Sequence, residues 1–198
     1  MRSSFLAIDD VYDDPDAIRS VALNADYNLP GVDVKMNVLA NGNWAGITSL
    51  DVYKNNKIDG VLSRALGIPL RQIHNSGKFR LSFDNDVPKS PVHIDELSDD
   101  VFAGVLYLND LDTETVGTVL YRHKPTGSTT ASKVDHIKIF NDGDLTKIEC
   151  WDIDILSNIR YNRLIVYPAN RYHGPGPSFG NTKENARLVQ LFLWQVIK

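Results

Sequence analysis

The chain has 198 residues, 42% apolar and 23% charged, enough for one well-packed domain and too little for two. A net charge of -4 and an isoelectric point near 5.7 argue against nucleic acid as a partner, since no broad basic face fits that balance. The single cysteine, Cys150, excludes an internal disulfide and fits a reducing compartment.

The opening MRSSFLAIDDVYDD turns acidic before any apolar run is long enough for a secretion signal. The final LVQLFLWQVI is about half the length of a membrane span. A cytoplasmic protein without a membrane partner is expected, as a monomer or homodimer. In DDPDAIRSVALNA, Asp13 and Asp14 precede Pro15, giving a cap, a first-turn proline and early negative charge. Ile18, Val21, Ala22 and Ala25 then follow helical spacing. NLPGVDVKMNVLANGNWAGI is rich in Asn and Gly and reads as loop with one short strand at most. NNKIDGVLSRALGI predicts a second helix, with Ile58, Val61, Leu62, Ala65 and Leu66 on one stripe and Gly67 as its stop.

From residue 78 the pattern turns to strands. KFRLSF, VFAGVLYL, TVGTVLYRH, KVDHIKIF, KIECWDI, RLIVYP and ARLVQLFLW are separated by turn-forming segments. This spacing predicts a mainly β, α+β fold, a jelly roll over 78–198, with the helices of 1–77 packed outside as support within one domain.

In SPVHIDELSDD, His93 and Asp95 lie two apart. On a strand they would share a face while Ile94 points away. Alone the pattern is weak, because His-x-Asp arises easily in an Asp-rich chain, and an ordinary strand edge explains it as well. His173 follows the apolar RLIVYP and a short turn. Arg187 opens the last strand, on the face shared with Val189, Leu191 and Leu193. A cation on so apolar a face calls for an anionic partner, unless its head reaches solvent. Two histidines and one carboxylate leave three positions open on an octahedral ion, the facial triad of non-haem Fe(II) oxygenases.

In this order of parts the chain resembles the 2-oxoglutarate- and Fe(II)-dependent dioxygenases, particularly their prolyl-4-hydroxylase-like branch. The resemblance covers about residues 78 to 197, and DDVYDDPDAIRSVAL is similar to the opening of small stand-alone bacterial and phage members. It implies a double-stranded β-helix core, with His93, Asp95 and His173 as catalytic ligands of Fe(II). Arg187 would hold the distal carboxylate of the cosubstrate 2-oxoglutarate, with Tyr107 of VLYLND hydrogen-bonding the same group. VGTVLYRHK resembles the family's Gly-Gly strand with Val116 in place of the first glycine. The Ser or Thr that many members carry two residues after the basic residue is Val189 here, which loses a hydrogen bond of about 0.5–1.5 kcal/mol and leaves another 2-oxo acid open. The implied reaction uses O2, releases succinate and CO2, and hydroxylates a peptidyl residue (proline-type) or a small molecule. Halogenating relatives lack the carboxylate that Asp95 supplies, so oxidation without halogen is expected.

Two alternatives are a zinc-dependent hydrolase on the same three ligands, in which Arg187 has no obvious use, and a non-catalytic jelly-roll binding module with a degenerate triad, against which the complete ligand set and Arg187 argue. His74, His123 and His136 read as surface or structural. Cys150 reads as a buried small residue and Glu96 as a solvated acid. Trp44 and Phe179 read as lid residues or loop anchors. Arg80 and Ser82 stand on the strand before HID, where they could face a pocket.

Overall fold

The computed structural model describes residues 5–28, 45–74, 76–111 and 114–198. Its larger sheet is antiparallel, with strands β1 (Leu6–Ile8), β2 (Ile47–Thr48), β3 (Leu70–Gln72), β4 (Lys78–Ser82), β5 (Val101–Tyr107), β8 (Leu164–Pro168) and β10 (Arg187–Val196). The order is β1-β8-β5-β10-β4-β2, and β3 pairs with the far end of β10. The smaller sheet runs β7-β6-β9, from Trp151–Asn158, Val116–His123 and His173–Pro175. Together they form the expected double-stranded β-helix.

Helix α1 (Pro15–Asn24) starts where Asp14 Oδ1 accepts from Ala17 N at 2.9 Å, and α2 (Asn56–Leu66) where Asn55 Oδ1 accepts from Lys57 N at 3.0 Å. Gly67 ends α2 in the left-handed region at φ 68°, the conformation in which a side chain is penalised and glycine is not. Both helices pack on the outer face of the larger sheet. Ile18, Ala22, Ile58 and Leu62 meet Leu188, Phe192 and Trp194 there, and burial of each large apolar side chain contributes about 1.5–3 kcal/mol. The alternation of β10 thus divides as its sequence predicts. Gln190, on the outward face, is satisfied, accepting from the Tyr12 hydroxyl at 2.7 Å and donating to the Tyr53 and Gly77 carbonyls at 3.1 Å. The opposite face of the sheet, with Ala103, Val105, Tyr107, Tyr167, Val189 and Leu191, encloses a second core with Leu120 of the smaller sheet.

Three segments differ from the pattern that their sequence predicts. KVDHIKIF is not a strand but helix α3 (Lys133–Asn141). Ser132 Oγ caps it by accepting from Asp135 N at 3.1 Å while donating to Asp135 Oδ2 at 2.8 Å, and Ile139 is its buried anchor. KIECWDI begins as a 3-10 turn at Ile148–Cys150, so the strand starts only at Trp151 and continues to Asn158. HID is not in a strand: His93 forms an isolated bridge to His173 within an otherwise irregular segment. Trp44 and nearly all of the Asn/Gly-rich segment, residues 29–44, lie outside the described residues. Among the described residues no helix is long and apolar enough to cross a membrane.

Candidate metal centre and its pocket

The two histidines are brought together by their main chains. His93 N donates to His173 O at 2.8 Å and His173 N to His93 O at 2.9 Å, so their rings meet with centroids 4.2 Å apart. Such a pair requires close backbone approach. A Cβ on Gly174 would stand 1.9 Å from the carbonyl oxygen of Pro91, so only glycine admits the HID segment here. Asp95 is placed by its own amide, which donates to Ala169 O at 2.9 Å, and Glu96 N adds a bond to the same carbonyl at 3.1 Å. Ile94 turns the other way and joins the cluster of Val92, Ile139, Trp151 and Tyr172.

Donor atoms of His93, Asp95 and His173 lie within 4.8 Å of one another, the one such histidine, cysteine or acid cluster among the described residues. His173 Nε2 is 3.4 Å from Asp95 Oδ2 and His93 Nε2 is 4.0 Å from Oδ1. These spacings approach the edge of about 3 Å of an octahedron with bonds of about 2.1 Å. His173 Nδ1 lies 2.9 Å from the Arg171 carbonyl. A carbonyl only accepts, so the proton resides on Nδ1 and the Nε2 lone pair faces Asp95. Burial drives His93 well below the ordinary imidazole range, assisted by His173 and Arg80, which favours the neutral form a metal requires. Burial pushes the Asp95 carboxyl up, and the neighbouring His173 and Arg80 oppose that rise. A divalent cation would stabilise the carboxylate that burial disfavours. The donor set therefore fits a divalent transition metal.

The triad opens into a cavity of about 110 Å³ between the sheets. Arg187 forms part of its wall and is 4% exposed. Its Nη2 donates to Gly117 O at 2.8 Å, while its Nε is buried without a hydrogen-bond partner. Burial pulls the guanidinium below its ordinary value, with Tyr107 and Tyr167 opposing. No acid pairs with Arg187 among the described residues, so the cation facing the cavity lacks the anion that burial demands.

Tyr107 is fully buried, and its hydroxyl donates to Thr118 Oγ1 at 2.9 Å. Thr118 is the cavity wall at that point. Gly117 makes the arrangement possible, because a Cβ there would meet the Tyr107 ring and hydroxyl at 2.6 Å. This explains the glycine retained after Val116. Val189 lies in register between Tyr107 on β5 and Arg80 on β4. Thr118, on the opposite sheet, is a hydroxyl-bearing residue in the lining of the same cavity as Val189.

Thr118 and Tyr167 are cavity residues that the sequence reading did not single out. Tyr167 is 2% exposed, and its ring packs 4.6 Å from that of His173. The inward alternation of β6 and β8 was the available signal. Arg80 and Ser82 do line the cavity. His123 is structural, with Nδ1 3.0 Å from Thr126 Oγ1 and Nε2 3.2 Å from Asp144 Oδ2. His136 sits on α3 with its ring stacked on Tyr172, and His74 lies in an exposed turn. Cys150 is half-buried rather than buried, and its thiol is pushed up by desolvation and by Asp144, which makes it a poor nucleophile. Phe179 packs against the inner core.

A family model described as a family of unknown function (DUF6445) matches residues 84–144. A search of curated protein sequences returned no match. Among solved structures, the non-heme alpha-ketoglutarate-dependent carbocyclase SnoK from nogalamycin biosynthesis aligns with TM-score 0.61 at 12% identity, over 98% of this chain and 80% of that one. HygX from Streptomyces hygroscopicus, with nickel, 2-oxoglutarate and hygromycin B bound, gives 0.59 at 12% identity over 98% and 82%. EctD from S. alaskensis, with 2-oxoglutarate and 5-hydroxyectoine, gives 0.52 at 12% identity over 98% and 72%. The chain thus has the double-stranded β-helix fold of 2-oxoglutarate-dependent enzymes.

Proposed function

We propose that this protein is an Fe(II)- and 2-oxoglutarate-dependent oxygenase that hydroxylates a small molecule or, less in keeping with its neighbours, a peptidyl residue. The observation that carries the reading is one cavity holding His93, Asp95 and His173 on one wall and a buried, acid-free Arg187 on another. The fold neighbours support it: they include alpha-ketoglutarate-dependent and 2-oxoglutarate-bound proteins, two of them with small molecules, hygromycin B and 5-hydroxyectoine.

Fe(II) bound with 2-oxoglutarate would supply O2 activation, with release of succinate and CO2. The residues of the chain supply the rest. His93 and His173 offer neutral nitrogens and Asp95 an oxygen, leaving three open positions on an octahedral ion. Arg187 fixes the far carboxylate by a charge-assisted bond, and the Tyr107–Thr118 pair offers a hydroxyl beside it. Val105, Val189 and Leu191 keep the intervening space apolar, which limits water at the reacting centre. A zinc hydrolase on the same triad would have no use for Arg187, whose Nε has no partner.

Purified protein given Fe(II), 2-oxoglutarate and O2 without primary substrate should release succinate slowly, and Asp95→Ala and His173→Ala should abolish the release. Succinate formation unchanged in both variants would contradict the assignment.

A further inference from the structure

Four tyrosines are buried: Tyr12, Tyr107, Tyr167 and Tyr172. A buried phenol ordinarily finds a hydrogen-bond partner, and three of these do. Tyr12 donates to Gln190 Oε1 at 2.7 Å, Tyr107 to Thr118 Oγ1 at 2.9 Å, and the Tyr172 hydroxyl lies 3.5 Å from His136 Nδ1. The Tyr167 hydroxyl has no such partner among the described residues. Its side chain is almost fully buried and borders the cavity that holds the triad.

Two contacts set Tyr167 against the metal centre. Its ring packs 4.6 Å from that of His173. Just past the end of β8, Ala169 O accepts from the amides of Asp95 and Glu96, so the segment that carries Tyr167 also seats the carboxylate ligand. Across the larger sheet Tyr167 pairs with Ala103, and Ala103 with Leu193 near the end of β10, whereas Arg187 opens that strand. Tyr167 therefore stands at the triad end of the cavity and Arg187 at the other. A 2-oxo acid brings a carboxylate to each end. Arg187 answers the distal one, while the chelating one gives up bonds to water that a nearby donor must replace. Ala103, Val105, Leu191 and Leu193 line the cavity there and carry no donor. Tyr167 carries one that no neighbour uses.

We infer that the Tyr167 hydroxyl donates a hydrogen bond to the chelating carboxylate of the 2-oxo acid, a second anchor for the cosubstrate at the end remote from Arg187. The inference rests on the oxygenase reading. Tyr167→Phe tests it, because the ring stays against His173 and only the unpartnered hydroxyl is lost. Wild type and variant are loaded anaerobically with Fe(II), and 2-oxoglutarate is titrated by calorimetry and by the visible charge-transfer band, which arises from the chelating end. The variant should bind 2-oxoglutarate about tenfold more weakly, as loss of a hydrogen bond to a charged group implies, and its band maximum should move. Its affinity for Fe(II) alone and the melting temperature of the metal-free protein should match wild type. With a band present in wild type, 2-oxoglutarate affinity within twofold in the variant overturns the inference, and the hydroxyl then faces the primary substrate. A weaker affinity with an unmoved band, or with a parallel loss of Fe(II) affinity or stability, overturns it too, as a distal or a structural role. Absence of the band in wild type removes the oxygenase reading, and the inference with it.

Discussion

His93 and His173 exchange both main-chain hydrogen bonds, at 2.8 and 2.9 Å, so two ligands separated by most of the β core are set by a single backbone bridge. Gly174 is the hinge of that arrangement, because any side chain there collides with the Pro91 carbonyl. Gly174→Ala should destabilise the fold by about 1–3 kcal/mol and weaken divalent metal binding tenfold or more. Thermal unfolding and metal calorimetry check this. A variant with wild-type metal affinity would show that the bridge does not set the site.

Arg187 is a buried cation with one hydrogen bond, to Gly117 O, and one unpartnered nitrogen. Charge-assisted hydrogen bonds contribute about 1.5–3 kcal/mol each. Arg187→Gln should therefore lower 2-oxoglutarate affinity by about 10- to 100-fold. Removing an uncompensated buried charge offsets the lost bond to Gly117, so melting temperature without cosubstrate should change little. Calorimetry and thermal melts separate the two effects. A large loss of stability with intact 2-oxoglutarate binding would assign Arg187 a purely structural role.

A Cβ added at Gly117 would meet Tyr107 Cζ, its hydroxyl and Cε1 at 2.6 to 2.9 Å. Gly117→Ala should cost about 1–3 kcal/mol. Adding Tyr107→Phe should not restore stability, since the ring remains, whereas adding Tyr107→Val should. Denaturant unfolding of the single and double variants provides the measurement.

Asp9 ties the first strand to the entry of β8 through a fork with Arg163, at 2.6 and 3.0 Å. The Arg163 hydrogen bond, followed by the charges of Arg163 and Arg160, holds the carboxyl below its usual range against the effect of burial. A depressed folded-state value means the contribution is present above the unfolded value of about 3.9 and lost as pH falls through the lower folded value. Asp9→Asn should thus be less stable than wild type near neutrality, with the difference shrinking below about pH 4. Urea unfolding across pH 2 to 7 would show this; a constant difference would contradict it.

Much of the β core was legible because its strands are long and apolar: VFAGVLYL and ARLVQLFLW leave little choice of element, and the alternation of β10 assigned Arg187 to the inner face. The α1 cap at Asp14 and the α2 stop at Gly67 were legible from local residue chemistry, whereas the α2 cap at Asn55 was not singled out. KVDHIKIF was not, since Val134, Ile137, Ile139 and Phe140 satisfy either period loosely, and the decision falls to Ser132 and to packing of Ile139. HID was assigned the right neighbours for an incomplete reason. Its convergence comes from a bridge and two bonds to Ala169 rather than from strand alternation. Thr118 and Tyr167 became site residues only through cross-strand register and the facing of the sheets, both of which are non-local.

The central claim is that His93, Asp95 and His173 bind Fe(II) with 2-oxoglutarate chelated beside Arg187. Anaerobic addition of Fe(II) and 2-oxoglutarate to the protein tests it most directly by visible absorption. A charge-transfer band that requires both additions and disappears in His93→Ala and His173→Ala is the predicted result. No band, with neither metal nor 2-oxoglutarate bound, would contradict the account.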